Sequence, residues 1–286
     1  MPAGQGTHHG TRKQSGPLRR LLVWLVLSIL LVWTLFPIAW AFALSIKPPQ
    51  DFFTASWLPF VHFSPTIAHW LTEWHSFGDP AGMGRSLVGS LLVAVTAGLL
   101  STVLGGLAAY DLHQRRGGRS IAVIGVVLLL PRLVPPIIVA MPLMAILAQI
   151  GLGDTYLALV IANTSLGLPL AALILFLAFA QLPEEILAAA HLDGCSGFAA
   201  FRHIVLPLLR PAAAASFLLC AAQSWNEFLY ALFNVQHRAQ VVTLAVAALL
   251  TKDGVEFDYV GSHLVLVLFP PLLLILVAQL VIARRQ

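Results

Sequence analysis

Leu21 to Leu44 runs for 24 residues without a charged side chain, long enough to cross a bilayer core at about 20 residues per helical span. It exceeds the core of a signal peptide and no small-residue cleavage site follows, so it reads as a retained first transmembrane helix, residues 21–45. Ser86 to Tyr110 and Thr155 to Gln181 are uncharged in the same way. Ser120 to Ile150, Pro211 to about Val235 and Val260 to Ala283 complete a set of six. Composition agrees, since 59% of residues are hydrophobic and only 10% charged, against roughly 25% charged in soluble domains. The pattern predicts an all-α membrane protein with six transmembrane helices and excludes a soluble globular fold.

The segments between spans set the organisation. Residues 1–20 form a polar, basic tail, and residues 46–85 form the longest external loop. Residues 86–283 form the membrane core, with spans at about 86–110, 120–150, 155–181, 211–235 and 260–283. Asp111 to Arg119 reads as a tight polar loop and 182–210 as a longer polar segment. Val241 to Leu250 is apolar but too short to cross, so it is expected at the interface or packed on the bundle. Within the second span Gly98, Thr102, Gly105, Gly106 and Ala109 recur at about four-residue spacing, which lets helices approach closely in lipid. Pro37 lies inside the first span, Pro169 inside the fourth, and Pro131, Pro135, Pro136 and Pro142 break the third.

Lys and Arg distribution orients the chain. Arg12, Lys13, Arg19, Arg20, Arg115, Arg116, Arg119, Arg202, Arg210, Arg284 and Arg285 fall on one side, eleven in all, and Lys47, Arg85, Arg238 and Lys252 on the other. Both termini and the 182–210 segment are therefore expected in the cytoplasm. The net charge of +4 is topological and gives no reason to invoke nucleic acid. Two cysteines, Cys195 and Cys220, supply no disulfide framework.

In the 182–210 segment Pro183-Glu184-Glu185 suits a first helical turn, where acids meet the positive end of the helix dipole. An Ala-rich helix follows to Leu192. Asp193-Gly194 ends it, Ser196 caps a second short helix, and Pro207 is expected to stop that helix. The result is a helix-turn-helix shelf against the bundle.

These residues carry a resemblance. Ala188-Ala189-Ala190, three residues, Gly194, nine residues, Ile204, then Leu206-Pro207 resembles the E-A-A, x3, G, x9, I-x-L-P loop of ABC importer permease subunits. Phe36-Pro37-Ile38-Ala39-Trp40 to Ser45-Ile46-Lys47-Pro48, Gly151-Leu152-Gly153-Asp154-Thr155 and Trp225-Asn226-Glu227-Phe228 are similar to carbohydrate-uptake permeases of the maltose-permease second-subunit type. The resemblance implies a type-1 ABC importer permease bundle whose loop docks as a cytoplasmic coupling helix on an ATP-hydrolysing subunit. It also implies a second homologous permease, a cytoplasmic ATPase dimer and an extracytoplasmic solute-binding protein as partners, besides membrane lipid. Cofactors are expected to be absent from this chain, with ATP and Mg held by the partner ATPase. Ala188 stands where the family has a glutamate. Glu184 and Glu185, four and three residues earlier, lie one turn away, and Glu184 is the expected substitute.

Ionisable groups inside spans cost roughly 2.5–3.5 kcal/mol for a central Arg and mark function by default. Arg132, Asn163 and Glu227 fall at middle to outer depth. With Trp225 and Asn226 they offer donors, acceptors and an apolar ring to a hydroxylated solute, so these five are the candidate substrate pathway. The alternative for Arg132 is a structural pair with Glu227, or snorkelling. His62, His69 and His75 lack the spacing of a helical metal pair, so no metal site is expected. No catalytic residue is assigned: no Gly-Lys dipeptide occurs, which excludes a phosphate loop, and no nucleophile and base are paired. The reading is a permease subunit for a sugar or polyol, with ion-coupled secondary transport of a small polar solute as the alternative.

Overall fold

The computed structural model describes residues 17–52, 54, 58–78, 82–114, 121–182, 201–234, 238–249 and 257–283. Helix α1, Pro17–Ser45, is 29 residues long and carries Pro37 inside it. Apolar on every side, it is exposed over most of its length and buries only Ala41 and Ser45 near its end, as expected of a helix whose solvent is lipid. A 3-10 turn at Pro49–Asp51 and the short helix α2, Ala68–His75, follow. The long loop is thus partly helical.

Helix α3, Met83–Gln114, is 32 residues long and outruns its predicted end. Asp111 to Gln114 continue the helix, a correction to the tight loop expected from Asp111 onward. The proline-rich third span is broken. Helix α4, Ile121–Leu129, passes through a 3-10 turn at Leu130–Leu133 into α5, Pro136–Gln149, and the axis bends by 71°. Pro136 sits at the first position of α5, where its missing N–H costs no hydrogen bond. Helix α6, Tyr156–Ala180, is capped by Thr155, whose Oγ1 accepts the Ala158 N–H at 3.2 Å.

The fifth span departs furthest from expectation. Helix α7, Leu206–Trp225, is preceded by a π-helical turn at Phe201–Val205. Pro207 does not stop a helix and Pro211 does not start one. Both lie within α7, Pro207 in its first turn, where a missing amide is tolerated, and the wide π turn is the irregularity that precedes it. At the other end the helix breaks at 226–228 and resumes as α8, Leu229–Asn234, so no unbroken span reaches Val235. Helix α9, Val242–Leu249, packs on the bundle with Val242 fully buried. Helix α10, Phe257–Ala283, carries Pro270 and Pro271. Among the described residues five helices are long and apolar enough to span, six when the bent α4–α5 pair counts as one.

Small residues decide how tightly the centre packs. A Cβ on Gly105 would stand 2.7 Å from the Ala171 side chain of α6, and one on Gly98 3.0 Å from Ala221 of α7. Helix α3 therefore lies in backbone contact range of both neighbours, the close approach that glycines permit in a membrane. Ser101 Oγ donates to the Thr164 carbonyl at 3.2 Å, and Thr102 and Ser216 hydroxyls meet at 3.3 Å. At one end of the bundle Ala109, Leu175, Phe176, Phe179 and Leu209 form a core. At the other, Val93, Leu159, Tyr230 and Val241 form a second, and Met83, Ala94, Trp225 and Val242 a third. Among the described residues α1 packs chiefly on α10, where Gly261 admits the backbone of Leu44 and Ser45.

Candidate functional site

The end bearing α2, α8 and α9 is the one that the charge count leads us to expect outside, hence the outer end. Five candidate pathway residues sort into two groups. Arg132, in the 3-10 break, is exposed and donates from Nη1 and Nη2 to Gln223 Oε1 of α7 at 3.2 and 3.3 Å. It makes no pair with Glu227, which corrects the structural alternative for that residue. The arrangement ties the weakest point of the third span to the fifth.

The second group surrounds the break after α7. Once α7 ends at Trp225, the first amides of α8 need acceptors. Glu227 supplies them, its two carboxylate oxygens accepting from Leu229 N at 2.8 Å and Tyr230 N at 2.9 Å. Its carbonyl accepts from Thr243 Oγ1 at 3.0 Å, which fastens α9 to the break. Asn226 is exposed and donates to the Ala222 carbonyl at 2.8 Å. Asn163 donates to the Leu159 carbonyl at 2.9 Å, while its Oδ1 is buried with no protein partner. Trp225 is only 2% exposed, its ring packed among Met83, Ala94 and Val242. The expectation that its face is open to a sugar ring is therefore not met in this conformation.

Ser90, Leu159, Asn163, Ser224, Trp225 and Glu227 line a cavity of about 10 Å³. That is room for one water, against several hundred Å³ for a small-molecule pocket. Asn163 Oδ1, Ser224 Oγ and Trp225 Nε1 are buried around it without protein partners. The polar lining and the break together set a small polar point between the apolar cores at this end of the bundle. Arg132, by contrast, faces outward from the packed core.

Sequence reasoning missed a clasp at the outer end. Asp154, at the αL angle φ 55°, accepts from the Arg238 N–H at 3.0 Å and the Ala239 N–H at 3.2 Å. Arg85 Nη2 donates to the Arg238 carbonyl at 3.1 Å, and Tyr156 Oη to that of Gln240 at 3.3 Å. Ser90 Oγ accepts the Val242 N–H at 2.8 Å. The approach to α9 is thus anchored on α3 and α6. Asp154 in a Gly-Asp-Thr turn before a helix was the available signal, but its partners lie 84 and 85 positions away.

Of the predicted coupling residues, Glu184, Glu185, Ala188, Ala189, Ala190, Asp193 and Gly194 lie outside the described residues. Ile204 sits half-buried in the π turn, Leu206 is exposed, and Pro207 is half-buried at the start of α7. Among the described residues no group of three metal-ligating side chains comes together.

Comparison with known proteins places this architecture. A family model described as the inner membrane component of binding-protein-dependent transport systems matches residues 101–286. A probable ABC transporter permease protein, y4oR of Sinorhizobium fredii, is 29% identical over 94% of this chain and 92% of its own. A trehalose/maltose transport system permease protein, MalG of Thermococcus litoralis, is 29% identical over 80% of this chain and 81% of its own. A bacterial ABC transporter involved in import of the acidic polysaccharide alginate has a chain that superposes with a TM-score of 0.69 at 19% identity, covering 93% of this chain and 98% of that one.

Proposed function

This chain belongs to the family of inner membrane components of binding-protein-dependent transport systems, and from that premise we propose that it forms half of the pathway by which an ATP-driven importer takes up a sugar or related polyol. It is a multi-pass membrane permease subunit and not an enzyme. The observation that carries the reading is the family match running from the middle of α3 through the coupling segment to the end of α10. The sugar class rests on the cargo named for a similar permease and for the alginate importer. Its partners in this reading are a second homologous permease, a cytoplasmic ATPase dimer holding ATP and Mg, and an extracytoplasmic solute-binding protein.

The mechanism follows from a rod and a break. The π turn and α7 form one helical run from Phe201 to Trp225, leading from the 182–210 segment to the polar cavity. Glu184, Glu185, Ala188, Ala189, Ala190, Asp193 and Gly194, with Ile204, Leu206 and Pro207, form the docking element on the ATPase. Closure of the nucleotide dimer moves that element, and α7 carries the displacement to the 226–228 break and, through Gln223, to Arg132. Parting of the helices there opens Asn163 and Glu227 to solute hydroxyls, alongside Arg132 and Asn226, which are already exposed. Ligand and nucleotide drive this only by binding the two states with different affinity.

Purification tests the reading. The tagged chain should copurify with a soluble ATPase whose hydrolysis in nanodiscs rises when a sugar-loaded binding protein is added. A chain that purifies without an ATPase and transports on an ion gradient overturns it.

A further inference from the structure

Helix α2 is built inside out for a helix in a water-exposed loop. His69 and Glu73, one turn apart, face the protein and are buried. Glu73 Oε1 lies 3.0 Å from His263 Nε2 of α10, and the His69 ring meets the Tyr259 ring edge-on at 5.7 Å. At about 100° per residue, Ile67 at the N-cap, Trp70, Leu71 and Trp74 fall within one arc about 100° wide. It points away from the His69–Glu73 side, with Ile67 64%, Leu71 51% and Trp74 76% exposed. Ala68, Thr72 and His75, all exposed, occupy a third arc between the two. One helix thus shows three environments: polar groups against the protein, an apolar arc with two tryptophans, and a small or polar arc.

The surroundings identify what meets the apolar arc. The segment entering α2 is tied to the end of α1 by the Thr66 N–H bonded to the Ile46 carbonyl at 2.8 Å, and α2 is tied to α10 by the Glu73–His263 pair. Its apolar arc therefore sits at the outer ends of two spans whose own outward surfaces are apolar and exposed. Phe60 and Val61 of the same loop are likewise 86% and 73% exposed. In water, turning His69 and Glu73 inward and Ile67, Leu71 and Trp74 outward, with Trp70 half-buried beside them, loses on both counts. At a membrane boundary it gains on both, because tryptophan is favoured at the headgroup level and an amphipathic helix in that plane buries its apolar face in lipid.

We infer that α2 lies in the interfacial plane of the outer leaflet, with Ile67, Trp70, Leu71 and Trp74 in lipid and Thr72 and His75 in water, moored to α10 by the Glu73–His263 pair. It is a lipid-binding element of the external loop that fixes the depth and tilt at which α1 and α10 emerge.

The test uses the full chain with its copurifying subunits in nanodiscs, with Cys195→Ser and Cys220→Ser as background. Nitroxides are placed through Leu71→Cys and Thr72→Cys, and Ile67→Cys provides a second probe on the apolar arc. Oxygen, which partitions into lipid, should relax the Leu71 and Ile67 probes several-fold more, relative to a water-soluble nickel chelate, than it relaxes the Thr72 probe. Nickel-dominated relaxation at all three sites overturns the inference, because the helix then stands in water. Shielding of Leu71 and Ile67 from both reagents also overturns it, since a protein subunit then covers the face. So does shielding that arises only on addition of a solute-binding protein.

Discussion

Glu227 carries two roles that pull in different directions. As an acceptor for Leu229 and Tyr230 it starts α8, and as a carboxylate beside the polar cavity it belongs to the proposed pathway. Glu227→Ala should cost about 1 kcal/mol of stability, the usual value of a lost N-cap, visible as a lower Tm of the purified assembly. Glu227→Gln should recover only part of it, since one of its two terminal atoms is an N–H donor and cannot accept. Arg132 separates the roles more cleanly, because its partner Gln223 is uncharged and it is exposed. Arg132→Ala should lower uptake several-fold with expression unchanged, and uptake at the wild-type rate and specificity would assign Arg132 a purely structural bond. Asn163→Ala should act more weakly, since its Nδ2 bonds only its own helix. Intramembrane polarity at these positions could be read from residue type alone. The partners could not: Arg132 to Gln223 spans 91 positions and Asp154 to Arg238 spans 84, and no local pattern announces either.

At the level of helices, the spans were readable because lipid imposes one rule, long uncharged runs, and the chain obeys it from Leu21 to Leu44 and again from Thr155 to Gln181. Interruptions were harder. Prolines mark a break at Pro131 to Pro136, but Pro207 and Pro211 are absorbed into α7 and the adjacent Pro270 and Pro271 into α10. The break that matters, at 226–228, holds neither proline nor glycine. The small-residue stripe of α3 was readable as a contact face, and the structure shows how closely. Gly105→Leu should abolish recovery of monodisperse protein, because its Cβ already reaches 2.7 Å from Ala171 and Ala172 N. Gly106→Ala should be tolerated, since the atom it meets, Leu175 Cδ1 at 3.2 Å, ends a flexible side chain. Size-exclusion profiles of the two variants compare them directly.

Across the whole assembly, the missing glutamate at position 188 poses a question of coupling. If Glu184 supplies the displaced carboxylate, Glu184→Lys should lower both uptake and binding-protein-stimulated ATP hydrolysis several-fold, while detergent-stable assembly persists. Ala188→Glu in that background should restore part of both. Unchanged coupling in Glu184→Lys would dismiss the role and leave the acid as a helix-start residue.

The clasp at the outer end holds main chain, not side chains: Asp154, Arg85, Tyr156 and Ser90 all engage amides or carbonyls between Arg238 and Val242. The course of that strip is therefore independent of what its exposed positions present. Arg238 can be exchanged for another residue while the anchor persists, so, in the function proposed above, the face that would receive a delivery protein can be retailored without rebuilding the fold beneath it.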